Sequence, residues 1–315
     1  MQKPAIGVAR TLLGAVVCAG AAGCVETAAS TPPAVVVPAA HPDGDVRPLE
    51  IRPPLDLADN YEQAVVRLVA DVTCTGTLIA EDLVLTAHHC VAKHDAAGHA
   101  LSEDVDAKDV SVELGISAMP WGEVGVRAIV SPACGYAWGD GDVAVLVLRR
   151  KLVGVATISP TFERPRAEPV DPAGGGAGRD TAHVMLKGFG RCARSSRGEV
   201  QLATRDGGPV RAVSQGSFYA DAPMCPGDSG APAFVVRRLA NGTEELRLVG
   251  VASASVMDGT ETTAGPSVFT RVDVWRDLLS AAREIADGAT ASELPPFRSC
   301  DPVLSTRAAQ AARPR

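Results

Sequence analysis

The chain has 315 residues, of which 37 are acidic and 30 are basic, so its net charge is −7 at pH 7. Because acidic and basic residues are interspersed, there is no basic footprint for nucleic acid, and an aromatic content of only 4% argues against a stacking surface for single strands. One all-β domain of roughly 200–250 residues would account for most of this length.

Residues 1–24 have the features of an export signal. Lys3 and Arg10 accompany an apolar run from Thr11 to Ala22, which is too short to cross a bilayer as a helix. The run ends before Cys24 in Ala-Ala-Gly-Cys, which is similar to the bacterial lipobox, in which the cysteine is acylated. The sequence therefore predicts an exported chain that is anchored to the cell-envelope membrane through Cys24. Ordinary cleavage near Gly23, giving a secreted protein, is the alternative.

Residues 25–59 are rich in alanine, valine and proline. This composition is typical of a semi-rigid linker, and we interpret the segment as a tether between the membrane and the following domain. A propeptide is the alternative interpretation.

The segment from Cys74 to Cys90 contains two apolar, β-rich runs around the acidic turn Glu81-Asp82. His89 comes near its end, just past a predicted strand. Further on, Asp142 directly precedes the apolar run Val143–Leu148. A carboxylate at the start of a buried strand needs a partner, and an imidazole N–H would suit it.

Asp140 is the rival carboxylate. It lies between Gly139 and Gly141, a pattern typical of an exposed turn. Asp142 is therefore the better candidate for a buried partner of His89.

Short strands recur along the chain with little helical periodicity, which favours barrels over a βαβ sheet. Residues 159–180 hold four prolines and three consecutive glycines and are predicted to link two barrels. A phosphate-binding loop is a poorer interpretation, because no Gly-Lys-Ser/Thr follows.

The second predicted barrel spans residues 182–272. Within it, Asn241-Gly242 lies between two apolar runs and predicts a hairpin turn. Asp273 is a candidate cap for a helix from Val274 to Ile285. Residues 287–315 form a predicted C-terminal extension.

The sequence Cys-Pro-Gly-Asp-Ser-Gly-Ala-Pro at residues 225–232 places Ser229 next to a glycine at a predicted bend. A serine hydroxyl becomes a nucleophile only with a general base beside it and with donors for the oxyanion that forms. The backbone amides of Gly227 and Ser229 are candidates for those donors, and His89 oriented by Asp142 is the candidate base. An ordinary tight turn is the alternative for the serine motif alone.

With these motifs the chain resembles the chymotrypsin/trypsin family of serine endopeptidases. Residues 86–90 are similar to the family's T-A-A-H-C, residues 142–146 to D-I-A-L-L and residues 227–232 to G-D-S-G-G-P, in the family's order. Residues 188–190 and 268–272 are further matches, to G-W-G and V-Y-T-R-V.

The resemblance implies an all-β fold of two packed six-stranded antiparallel β-barrels with a C-terminal helix, over residues 60–286. It also implies a monomeric enzyme without a cofactor, which hydrolyses a polypeptide substrate through an acyl-enzyme. A catalytically silent, protease-like binding protein and an esterase on the same fold are the alternatives.

Six cysteines remain once Cys18 and Cys24 are set aside, and an even number in an exported chain is typical of disulfides. The resemblance implies Cys74–Cys90, the bridge that closes the family's histidine loop. The other four cysteines allow three pairings, of which the family's loop positions favour Cys192–Cys225 and Cys134–Cys300.

A zinc site is an alternative interpretation of residues 88–99, because several possible zinc ligands are close together in the sequence. These are His88, His89, Cys90, His94 and His99. We expect no metal, since Cys90 is assigned to a disulfide and the last two histidines fall in a polar loop.

The resemblance further implies a substrate pocket that includes Pro223, Ser253, Ser255 and Ser267. Pro223 stands where trypsin-like members have an aspartate, and Ser255 and Ser267 replace two glycines of the pocket wall. This predicts a shallow pocket for small or modest apolar side chains, to which Asp221 is a possible addition.

In many family members the aspartate before the serine, here Asp228, is neutralised by an N-terminal ammonium that cleavage creates. Ile51 lies at about the right distance before the first barrel, but residues 51–54 lack the usual I-V-G-G. If the chain stays tethered, Asp228 needs another cation, for which Arg191 is the candidate.

Overall fold

The computed structural model describes residues 49–51, 53, 57–117, 119–132, 139–167, 183–192, 198–238, 244–255 and 266–290. The strands of these ranges are β1 (Leu49–Ile51), β2 (Val65–Val69), β3 (Thr73–Ala80), β4 (Leu83–Thr86), β5 (Ala92–His94), β6 (Ala100–Asp104), β7 (Ser111–Leu114), β8 (Gly122–Val130), β9 (Ala144–Leu148), β10 (Arg150–Leu152), β11 (His183–Gly188), β12 (Ala203–Val213), β13 (Ser217–Ala220), β14 (Pro232–Arg238), β15 (Glu244–Ala254) and β16 (Ser267–Arg271). The helices are α1 (Arg276–Ala286) and the short 3₁₀ segments Tyr61–Ala64, His88–Cys90 and Ala107–Asp109.

Twelve of the strands close into two antiparallel barrels. The first barrel has the order β2-β3-β4-β9-β8-β7 and the second the order β11-β12-β13-β16-β15-β14. The predicted fold class, two six-stranded barrels followed by a helix, is therefore confirmed.

Burial follows the sequence pattern of each strand. In β7 the side chains alternate between half-buried and buried, as expected for a strand with one face on a core. β9 is buried at all its residues, because α1 packs against it and contributes Leu278 and Ala282 to the same hydrophobic core. Asp142 thus lies two residues before a strand that has no solvent-exposed face.

The C-terminal helix begins later than the sequence predicted. α1 is preceded at its N-cap by Trp275, which makes no side-chain capping bond. The carboxylate of Asp273 is engaged instead by the guanidinium of Arg271, with Nε 3.0 Å from Oδ1. The prediction that Asp273 caps the helix was wrong, because a neighbouring cation competes for its carboxylate.

Part of the segment interpreted as a tether is ordered against the first barrel. β1 pairs in parallel with β10, and Ile51 lies opposite Leu152. Leu57 follows with an isolated bridge to Val155. The chain that enters the domain is thus held by backbone hydrogen bonds before the first barrel begins.

Several predicted features lie outside the described residues. They are the signal segment with Cys24, residues 168–180 of the linker between the barrels, the Asn241-Gly242 turn, the Cys134–Cys300 bridge and residues 291–315. Within the described ranges, no helix combines the length and the apolarity that crossing a membrane requires.

Candidate active site

His89 is carried by the 3₁₀ turn His88–Cys90, directly after β4. The adjacent Cys90 forms a disulfide with Cys74 at the start of β3, so the turn is bound covalently to the neighbouring strand. The location of the histidine is therefore set by two strands of the first barrel rather than by a mobile loop.

Asp142 is fully buried and its carboxylate accepts three hydrogen bonds. Oδ1 accepts from the His89 backbone N at 2.9 Å, and Oδ2 lies 2.8 Å from His89 Nδ1 and 2.6 Å from Ser253 Oγ. Thr270 Oγ1 donates to the Asp142 carbonyl at 2.8 Å, which binds the second barrel to the same residue. The buried charge is satisfied, and the neutral imidazole carries its proton on Nδ1, leaving Nε2 as a base.

The environment of His89 raises its pKa above the ordinary value of 6.5. Burial is the largest single influence and lowers the pKa, but the charge of Asp142 and its hydrogen bond together outweigh it. The protonated His89–Asp142 pair therefore stabilises the fold below pH 6.5, and this contribution is lost as the pH rises through the raised pKa.

We expect any reaction that uses His89 as its general base to show the opposite dependence, because only the neutral imidazole can accept a proton. kcat/KM is predicted to fall as the pH drops through an apparent pKa above 6.5. Rates measured at saturating and limiting substrate across the neutral range would locate this midpoint. A midpoint below 6.5 would contradict the dominance of Asp142 over burial.

Ser229 lies at the junction of the two barrels. Its carbonyl accepts from Thr75 N at 2.8 Å, and Thr75 directly follows Cys74 of the disulfide beside His89. The side chain is half-buried. Among the hydrogen bonds of the described residues, none joins Ser229 Oγ to His89 Nε2, and such contacts commonly tighten only when substrate binds.

The turn before Ser229 is folded around the carboxylate of Asp228, which is fully buried. This carboxylate accepts from Gly190 N at 2.8 Å and from Cys225 N at 2.9 Å. Gly227 has φ +103°, and a Cβ there would lie 2.8 Å from Phe189 O. Only glycine fits this position, and the conformation determines where the Gly227 amide points.

The cation that faces Asp228 is Arg205, a residue that the sequence did not single out. Its Nε lies 2.6 Å from Asp228 Oδ2 and its Nη2 3.3 Å from Gly190 O. Arg205 belongs to β12, where it pairs with Leu186 of β11. The proposed cation, Arg191, is exposed, and its backbone N bonds to Pro226 O at 2.9 Å. Arg205 reaches the Asp228 carboxylate because of the register in which β12 pairs with β11. This register cannot be read from the spacing of residues in the sequence.

The structure places the predicted pocket residues as follows. Pro223 is exposed and Ser255 is half-buried, whereas Ser267 is fully buried with its Oγ donating to Ala222 O at 2.5 Å. The Ser253 hydroxyl is directed at Asp142, so this side chain orients the carboxylate.

Asp221, the possible acidic addition to the pocket, is already paired. Its Oδ2 lies 2.6 Å from Arg211 Nε, so its charge is compensated within the protein. A substrate cation would have to compete with this guanidinium.

The structure contains the disulfides Cys74–Cys90 and Cys192–Cys225. In the described part of the chain, ligand atoms of Cys74, His89 and Cys90 come within 4.8 Å of one another. Both sulfurs belong to one disulfide, and a disulfide offers no thiolate to a metal.

The other histidines of the zinc hypothesis have different surroundings. His88 is fully buried and its Nε2 lies 2.7 Å from Asp104 Oδ1. His99 Nδ1 lies 3.1 Å from Asp95 Oδ2 in an exposed turn. His88 and His99 thus each have a carboxylate partner, whereas the buried Nδ1 of His94 makes no hydrogen bond within the described residues.

Comparison with known proteins addresses the family and the fold. A family model described as Trypsin matches residues 58–279. A solved structure described as Glu endopeptidase in complex with MPD is 18% identical with a TM-score of 0.50, covering 74% of this chain and 96% of that chain. Neuropsin, a serine protease expressed in the limbic system of mouse brain, is 15% identical with a TM-score of 0.49, covering 74% of this chain and 100% of that chain. No match is found among curated proteins. At 18% identity, the similarity to the Glu endopeptidase structure supports the fold alone.

Proposed function

The chain belongs to the trypsin family, and we propose that it is a serine endopeptidase whose catalytic residues are Ser229, His89 and Asp142. The observation that carries the proposal is the buried Asp142 carboxylate, which accepts both from His89 Nδ1 and from the His89 backbone. This arrangement leaves His89 Nε2 as the free base of the pair. The neighbouring turn supplies a serine and two candidate oxyanion donors.

In the proposed reaction, Ser229 Oγ attacks the carbonyl carbon of a peptide bond while His89 Nε2 takes its proton. Asp142 stabilises the imidazolium, and the amides of Gly227 and Ser229 bind the oxyanion of the tetrahedral intermediate. The intermediate collapses as His89 gives the proton to the leaving amine, and an acyl-enzyme remains. Water, deprotonated by His89, then attacks the ester and releases Ser229 and the carboxylic acid product.

Active-site labelling tests this proposal directly. A fluorophosphonate probe should modify the full-length protein at one residue, Ser229, located by mass spectrometry of its peptides. The Ser229→Ala variant should remain unlabelled, as should heat-denatured wild type. Labelling of the variant at the wild-type rate would refute the assignment, and absence of labelling in the folded wild type would favour the binding protein.

A second experiment distinguishes an endopeptidase from an esterase on the same fold. It compares the hydrolysis of two substrates that carry the same acyl group, one as a peptide amide and one as an ester. An endopeptidase hydrolyses both, whereas hydrolysis of the ester alone would identify an esterase.

We propose that the substrate pocket selects small or modest apolar side chains. Pro223 supplies no charge, Met224 is buried beside it, and Arg211 already compensates Asp221. In a peptide library, kcat/KM should be higher for cleavage after alanine or valine than after lysine or arginine. The Pro223→Asp variant should increase cleavage after basic residues. Cleavage by the wild type only after lysine or arginine would overturn the proposal.

We further propose that the protein acts outside the cytoplasm, anchored by a lipid on Cys24. Its two described disulfides are typical of an oxidising compartment. A Cys24→Ser variant should move from the membrane fraction to the soluble fraction. Retention of the variant on the membrane would exclude Cys24 as the anchor, and a soluble wild type would indicate secretion.

We also propose that the chain is catalytically active without cleavage near Ile51. The support is the pairing of Asp228 with Arg205, which makes an added N-terminal ammonium unnecessary. In addition, Ile51 is held in β1 against the first barrel, so this part of the chain already has a structural role without cleavage.

A further inference from the structure

Thr75, a residue of β3 in the first barrel, lies against the serine turn of the second barrel. The residue is fully buried. Its Oγ1 donates to Gly227 O at 2.8 Å and accepts from Phe189 N at 3.0 Å, while its backbone N donates to Ser229 O at 2.8 Å. One residue thus bonds to the carbonyls of both residues whose amides are the proposed oxyanion donors.

The Thr75 hydroxyl is important because it bonds to the backbone of Gly227, a proposed oxyanion donor. Gly227 has φ +103°, a region that a glycine enters and leaves easily. A hydrogen bond to its carbonyl restricts the rotation of the peptide that joins Gly227 to Asp228, and so holds the segment between the two donor amides in one conformation. Since the hydroxyl also accepts from Phe189 N, its single proton is committed to Gly227 O.

Thr75 is also connected to the segment that leads to the histidine. Its carbonyl accepts from Thr86 Oγ1 at 2.8 Å, and Thr86 lies three residues before His89. Gly230 packs into the same place, where a Cβ would be only 2.1 Å from Thr75 O. Thr75 therefore lies between the serine turn and the histidine strand.

We propose that Thr75 is a positioning residue that orients the oxyanion donors Gly227 and Ser229 across the junction of the barrels. The inference rests on the proposed function, since it concerns the same reaction. It assigns to the side-chain hydroxyl a role in kcat, because the donors must point at the oxyanion rather than at the bound substrate.

Two substitutions separate the hydroxyl from the shape of the side chain. Thr75→Val keeps the branched shape but leaves Gly227 O and Phe189 N without this partner. We expect kcat to fall about 10- to 100-fold with KM little changed, as for a small displacement of catalytic groups. Thr75→Ser retains the hydroxyl and should keep most of the wild-type kcat.

Each rate is divided by the concentration of active sites, measured by fluorophosphonate titration, and thermal unfolding is recorded in parallel. The rate constant of fluorophosphonate labelling should fall with kcat, because the phosphoryl oxygen occupies the oxyanion position. The pH midpoint of kcat/KM should not move, since His89 and Asp142 are untouched. If Thr75→Val does not fold, Thr75→Ala also removes the hydroxyl, and its comparison with Thr75→Ser still tests whether the hydroxyl is needed.

A valine variant with lower thermal stability but unchanged kcat per active site would show a purely structural role and overturn the inference. An equal loss of kcat in the serine variant would also overturn it, because the hydroxyl would then not be responsible. Failure of the proposed function is a different result, namely a wild-type protein in which Ser229 is not labelled.

Discussion

Replacement of Asp142 by asparagine is expected to lower kcat about 10⁴-fold, the size of the effect when the triad aspartate loses its charge. The carboxylate accepts from His89 Nδ1, His89 N and Ser253 Oγ. An asparagine side chain has one oxygen acceptor, so its amide must face at least one donor or hold the imidazole in the wrong tautomer. Steady-state kinetics on folded, titrated enzyme would measure the loss.

Asp140→Asn is the matched control, because it makes the same chemical change two positions earlier. Asp140 lies in the neighbouring turn and packs near Gly216, away from the His89 contacts of Asp142. Its variant should keep kcat close to the wild-type value. A large loss in Asp140→Asn with a small one in Asp142→Asn would reverse the assignment of the carboxylate.

Replacement of Arg205 by methionine should both destabilise the protein and remove most of its activity. Asp228 is fully buried beside this guanidinium, and removal of one partner of a buried ion pair costs about 3–5 kcal/mol of unfolding free energy. The unpaired carboxylate would then be held by the Gly190 and Cys225 amides without the guanidinium, so the serine turn around it would be less firmly fixed. We expect kcat/KM to fall about 10²- to 10³-fold, as for the loss of an oxyanion donor.

Denaturant unfolding and kinetics of three variants test this prediction. Arg191→Gln, the exposed control, should resemble the wild type. The double variant Arg205→Met with Asp228→Asn should recover part of the lost stability, since it leaves no buried charge. A fully active Arg205→Met variant would show that another cation serves Asp228.

The same pair predicts activity without proteolytic activation. Protein that retains the residues before Ile51, as shown by intact mass, should be labelled by the fluorophosphonate probe. Activity that emerges only after cleavage in this region would contradict the role given to Arg205.

The sequence was sufficient for features that depend on neighbouring residues. The apolar run after Asp142 predicted a buried strand, and β9 is that strand. The short strands favoured barrels over a βαβ sheet, and the two six-stranded barrels followed from the family resemblance that the three ordered motifs carry. The residue types at positions 89, 142 and 229 likewise indicated the chemistry proposed here.

The sequence did not predict the contacts between segments that are distant along the chain. Ser253 was expected in the substrate pocket, but its hydroxyl binds Asp142 across the barrel junction. Arg205 reaches Asp228 because β12 pairs with β11 in one register, and a shift of one residue would turn its side chain to the other face.

By itself, then, the amino-acid sequence determined the all-β class, the motifs that carry the family resemblance and the side chains that are candidates for the chemistry, since polarity patterns and residue types are local properties. Only the tertiary structure decided which cation compensates Asp228 and which hydroxyl holds Gly227. The physical reason is that buried charges and hydrogen-bonding groups are satisfied through space by whichever partner the packing of the two barrels brings within about 3 Å.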